Sequence, residues 1–119
     1  MLYTKHITIT DTTEQTVFAV PNGYVCHINY IFVANHGGST NQVDLFWDLS
    51  SVPQVYVFDG TPINGGSKET LGGQSDKGIF VLHEGETVKA QTSGSGNVEV
   101  AVTFDLLPKP NVLVNFNGS

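Results

Sequence analysis

From Leu82 to Leu107 the chain reads "LHEGETVKAQTSGSGNVEVAVTFDLL". Val88 and Ala90 alternate with Lys89 and Gln91. After "SGSGN" the alternation resumes, with Val98, Val100, Val102, Phe104 and Leu106 set against Glu99, Thr103 and Asp105. A period of two on both sides of a Gly/Ser turn predicts a hairpin of half-buried strands. The same pattern recurs upstream. "HITIT" places Ile7 and Ile9 on one face, and "QTVFAV" makes a short strand stopped by the turn residues Pro21, Asn22 and Gly23. Uniform alternation from Tyr24 to Ala34 puts Cys26, Ile28, Tyr30, Phe32 and Ala34 on one face, and Val25, His27, Asn29, Ile31 and Val33 on the other.

After the loop "NHGGSTN", the segment "QVDLFWDL" points Val43, Leu45, Trp47 and Leu49 one way. Asp44, Phe46 and Asp48 point the other way, and the two aspartates mark a wet face. "PQVYVFDG" reads as a further strand, with Pro53 at its start where no ladder donor is needed. Thr61 to Lys77 turns to Gly, Ser and Pro and reads as a long exposed loop. No useful helical period occurs. The expectation is an all-β, antiparallel, jelly-roll-like sandwich of about eight strands over residues 1–107, with Phe32, Leu45, Trp47, Val88, Val100, Val102 and Phe104 in the core.

Residues 108–119 form an extended C-terminal arm. Pro108 and Pro110 hold the chain extended and keep it from continuing a ladder or helix. Val112, Leu113, Val114 and Phe116 are too apolar for a free tail, so they are the expected assembly contacts, paired with an exposed sheet edge of a neighbouring subunit. The competing reading makes the arm a ninth strand of its own domain.

Composition narrows the chemistry. With 119 residues the chain has the size of one domain and buries roughly two-thirds of its unfolded surface, enough for one core without disulfides. The single cysteine, Cys26, has no internal partner and sits in an apolar strand. Five basic residues against eleven acidic ones give a charge of -6. The five lysines are scattered, so neither nucleic acid nor an anionic membrane surface is an expected partner. The N-terminal residues show neither a signal nor a transit pattern, and no apolar run approaches the roughly 20 residues of a membrane span. Charged residues make up only 13%. That is what surfaces packed against other protein carry, and also what an ordinary neutral β-protein carries.

No catalytic, cofactor or metal site is expected. His6, His27, His36 and His83 have no metal-ligand spacing. Asp44 and Asp48 on one strand lie roughly 13 Å apart, too far to work on one bond. A Gly-x-Ser-x-Gly elbow is absent, and "GGQSDKG" lacks the ending of a phosphate loop. Trp47 and the tyrosines could form a sugar-stacking platform, but Trp47 lies in phase with Val43, Leu45 and Leu49, which favours a core position.

The order of the pieces carries a resemblance. "FAVPNGYVCHINYIFVANHGGSTNQVDLFW" combines a strand ending in a Pro-x-Gly turn, a long strand ending in Asn, a Gly/Ser loop and a hydrophobic strand. "GIFVLHEGETVKAQTSGSGNVEVAVTFDLL" adds a Glu-Gly-Glu turn, a "VKAQ" strand, a Gly/Ser hairpin and a Val-rich last strand. Together they resemble small all-β virion structural proteins of tailed bacteriophages, over about two-thirds of the chain. The middle segment "DLSSVPQVYVFDGTPINGGSKETLGGQSD" and the arm depart from that pattern. The resemblance implies a non-enzymatic virion component made in the host cytoplasm and assembled from many copies without cofactors. It would be a capsid decoration or cement protein, a trimer on the major capsid protein or other virion proteins. Tail, neck or fibre-adaptor components share such sandwiches, and a glycan-binding attachment module is the rival from another class.

Overall fold

A computed structural model describes residues 2–49, 54–72 and 80–109. These contain nine strands: β1 (Leu2–Ile9), β2 (Gln15–Ala19), β3 (Tyr24–Asn35), β4 (Asn41–Asp48), β5 (Val55–Ile63), β6 (Lys68–Gly72), β7 (Phe80–Leu82), β8 (Thr87–Thr92) and β9 (Val98–Pro108). Two antiparallel sheets stack face to face. One runs β1-β9-β3-β6, with β7 also on β3, and the other runs β2-β8-β4-β5. The pairs nest as β1 with β9, β2 with β8, β3 with β6 and β7, and β4 with β5. A long hairpin rolled up in this way is a jelly roll. Its eight strand positions are all filled, and the position beside β3 is shared by two short strands.

That shared position corrects the expected long loop. Thr61–Ile63 end β5, and Lys68–Gly72 form β6, which pairs with Tyr30–Ala34. "KETLG" has almost no apolar content of its own. It is a strand because the free side of β3 offers a row of backbone donors and acceptors, and meeting those outweighs weak local propensity. Residues 73–77 of the expected loop lie outside the described residues.

The core confirms the alternation of β4, β8 and β9. Val43, Leu45 and Trp47 face Val88 and Ala90 within one sheet, and Val98, Val100, Val102 and Phe104 come from the other. Phe104 stacks on Phe18 at 4.4 Å between ring centroids, and Trp47 meets Phe80 edge-on at 5.1 Å. Burying side chains of this size stabilises by about 1.5–3 kcal/mol each.

Phe32 is the exception among the expected core residues. Ile28 pairs with Phe104, whereas Tyr30 pairs with Thr103, so Asn29 is an extra residue in β3. This bulge shifts the phase of the strand, because one inserted residue turns every later side chain to the opposite face. Cys26 and Ile28 point inward before it, and Ile31 and Val33 point inward after it. Phe32 therefore lies half-buried on the outer face, with the Lys68 ammonium 5.9 Å from its ring centre. Phe46, on the outer face of β4, is buried all the same, tilted against Tyr56 at 5.1 Å.

Candidate functional site

The two ends of the sandwich are built differently. At one end the loops after β1, β3, β5 and β8 meet, and two buried asparagines lock them. Asn35 Nδ2 donates to Ser39 O and Ile63 O, both at 2.8 Å, and Asn35 Oδ1 accepts from Gly37 N–H at 2.9 Å. Asn41 Nδ2 donates to Gly94 O at 2.9 Å, while its Oδ1 accepts from Gly94 N–H at 3.0 Å. The loops approach so closely that a Cβ on Gly65 would stand 2.7 Å from Gly37 O. Each asparagine satisfies loop backbone groups that no ladder reaches and so ties the loops of this end together.

At the other end the turns after β2 and β7 meet the exit of β9. Val20 N–H donates to Glu86 O, and Gly85 N–H donates to Val20 O. Gly23 N–H donates to Glu84 Oε2 at 3.0 Å. The ladder of β9 continues past the expected domain end at 107: Pro108 pairs with Tyr24, and Lys109 N–H donates to Gly23 O at 2.7 Å. Pro108 removes only its own donor and keeps the backbone extended, so the next residue can still pair. The Lys109 ammonium also bonds Glu84 Oε1. That bond, followed by the Gly23 N–H, holds the Glu84 carboxyl below its ordinary range. The exit direction of the chain at residue 109 is thus fixed by a backbone bond and an ion pair.

The expected assembly contacts Val112, Leu113, Val114 and Phe116 lie outside the described residues. Their anchor, Glu84 with Gly23 and Lys109, was not legible as a unit. The only signals were the Glu-Gly-Glu turn and a lysine between two prolines.

The residues weighed for chemistry hold structural places. Burial, with a smaller contribution from Asp105, pushes the Cys26 thiol up to about 12, so at neutral pH it is protonated and a poor nucleophile. Asp44 accepts from Gly60 N–H at 2.6 Å, and Asp48 pairs with Lys89 at 2.9 Å. Glu99 stands between His36, at 3.4 Å, and His6, at 4.0 Å. Among the described residues no group of three or more His, Cys, Asp or Glu could hold a metal ion. Trp47 is 3% exposed, so its ring face is not offered to a sugar. An open groove over β3 and β6 is lined by Phe32, Ala34, Asn35, His36 and Lys68, and the exposed His36–Glu99 pair stands at its rim.

The outer face of the five-stranded sheet carries several exposed apolar residues among polar ones. Leu2, Val81 and Leu107 are 59%, 51% and 40% exposed. Leu107 lies opposite Val25, and Val81 lies opposite His27 on the same face. The outer face of the other sheet carries Asp44, Asp48, Lys89 and Gln91 together with Phe46 and the exposed Tyr56.

No family model and no curated protein matches the sequence. Solved structures do share its fold. A chain in the acidic stable capsid structure of Helicobacter pylori bacteriophage KHP30 is similar with a TM-score of 0.59 and 13% identity, covering 91% of this chain and 89% of that one. A chain from Bacillus endospore appendages, described as disulfide-linked pili, gives 0.51 and 12%, covering 92% and 89%. The infectious bursal disease virus particle gives 0.53 and 10%. There the match covers 95% of this chain but only 41% of the viral one. The likenesses show a sandwich fold shared with proteins of viral capsids.

Proposed function

We propose that the chain is a non-enzymatic structural protein of a bacteriophage virion, a capsid decoration protein that binds over the major capsid protein lattice as a homo-oligomer, most simply a trimer. The observation that carries this reading is the jelly roll itself, matched along nearly its whole length to the phage KHP30 capsid chain. Exposed apolar residues on one outer sheet face accompany it. The core supplies a rigid plate, the asparagine-locked loops stiffen one end, and the anchored exit of β9 delivers the apolar residues Val112, Leu113, Val114 and Phe116 to a neighbour. Such a protein reinforces a lattice by adding contact area across subunit boundaries.

The disulfide linkage of the pilus protein has no counterpart in the described residues, whose one cysteine, Cys26, is buried. A tail, neck or fibre-adaptor position is distinguished by location. Cryo-electron microscopy of the particle should show this domain repeated over the capsid surface. Density confined to the tail or neck would replace the decoration reading with the adaptor one, and saturable glycan binding by the isolated folded protein would favour host attachment.

A further inference from the structure

We infer that the outer face of the five-stranded sheet is the acceptor for the C-terminal segment, residues 110–119, of a second copy of this chain. This rests on the assembly reading above and names the two surfaces that meet.

The acceptor is a stripe of Leu2, Val25, Tyr30, Phe32, Val81 and Leu107. It exists because the bulge at Asn29 turns Tyr30 and Phe32 outward on the same face as Val25, where regular alternation would have carried them to the core side. The bulge places two aromatic rings on this face, and Leu2, Val81 and Leu107 are exposed on it across the row of His27 and Asp105. Exposed apolar side chains grouped on one face mark an interaction site.

Sheet edges are poorer acceptors, because each carries a feature that discourages strand addition. In β1, Lys5 sits on the core-facing phase, opposite buried Val102. The β2 ladder shifts register at Val17. The β5 ladder shifts twice, and β5 contains Pro62. The remaining edge is divided between β6 and β7. Bulges, prolines, inward-pointing lysines and short strands all discourage edge pairing. The open acceptor is therefore a face.

The donor is argued from where the described chain ends. At Lys109 the backbone is still bonded to Gly23 and running off the end of its own sheet, so reaching its own outer face would need a reversal at once. The ten residues from Pro110 to Ser119 carry no charge. Extended, they reach roughly 33 Å, more than the roughly 14 Å across the four strand positions of the face. Every copy carries one uncharged apolar donor and one acceptor face, which makes a head-to-tail interface that forms a ring where its rotation closes.

Sedimentation velocity of the purified full chain and two variants tests this. Val81→Glu with Leu107→Glu disables the acceptor, and Val112→Asp with Val114→Asp disables the donor. The unchanged chain should be oligomeric, and each variant a monomer that still unfolds cooperatively, its melting temperature lowered only by the lost association. An equimolar mixture of the two variants should recover association as heterodimer, since one intact donor then meets one intact acceptor. A donor variant that stays oligomeric, or a mixture that stays monomeric, overturns the proposal. A photo-crosslinker at Val114 in a mixture of isotopically heavy and light chains gives a second readout that needs no destabilising change. Heavy-to-light links to Val25, Val81 or Leu107 are expected, and links confined to one chain overturn it. Neither failure touches the virion reading, which is decided by the presence of the protein in particles.

Discussion

Ile28 and Ile31 both face the core, although three positions separate them on one strand. Residues so spaced on a regular strand face opposite sides, and Asn29 absorbs the difference. The energetic consequence is an inversion of the two aromatic residues in this region. Phe104→Ala should cost about 3–5 kcal/mol, a large part of a small domain's stability. Phe32→Ala should cost about 1 kcal/mol, mainly partial burial and the Lys68 contact. Denaturant unfolding of both variants checks this, and equal costs would contradict the bulge.

Trp47 is buried, and among the described residues its Nε1 has no hydrogen-bond partner. Trp47→Ala opens a cavity beside Phe80 and should lose about 3–5 kcal/mol. Trp47→Phe keeps most of the ring and removes an orphaned donor. Its loss in thermal unfolding should be less than half that of the alanine variant.

Gly65 and Gly38 form a matched pair at the locked end. A methyl group on Gly65 meets the backbone of Gly37 and Gly38 within 3.0 Å, whereas one on Gly38 meets nothing within 4 Å. Gly65→Ala should therefore destabilise by about 1–3 kcal/mol through overpacking against backbone. Gly38→Ala should leave the melting temperature nearly unchanged.

The Glu84 anchor has a defined pH dependence. The folded carboxyl is held below its ordinary value, so the bonds it makes are fully present above that ordinary value and are lost as pH falls through the lowered one. Hydrogen exchange at Lys109 N–H should be slower in the unchanged chain than in Glu84→Gln at neutral pH. The difference should vanish once the carboxyl is protonated. Equal exchange in the two chains at neutral pH would assign the protection to the backbone bond with Gly23 alone.

The strongly alternating segments around Leu45, Trp47, Val88, Val100 and Phe104 were legible because one buried face imposes a period of two on the sequence. The pairing partner of β3 was not. Lys68–Gly72 has no apolar period, and its strand depends on backbone groups that a side-chain pattern does not record. The phase of Phe32 was hidden for a related reason. A residue inserted at Asn29 leaves the composition of the strand unchanged, and with both faces partly apolar either phase fits the sequence. The outward stripe of Leu2, Val81 and Leu107 follows from register, so it became visible only once strands distant in sequence were aligned. The Glu84–Lys109 anchor was likewise a contact between segments whose local patterns say nothing of each other.

The decoration role proposed for this chain places it on the capsid in many copies. Its most direct test is the copy number of the protein in purified particles, measured by quantitative mass spectrometry against the major capsid protein. The account predicts a fixed ratio of the same order as the capsid lattice itself. Absence from the particles would contradict it, and a number matching only tail or neck symmetry would contradict the decoration role.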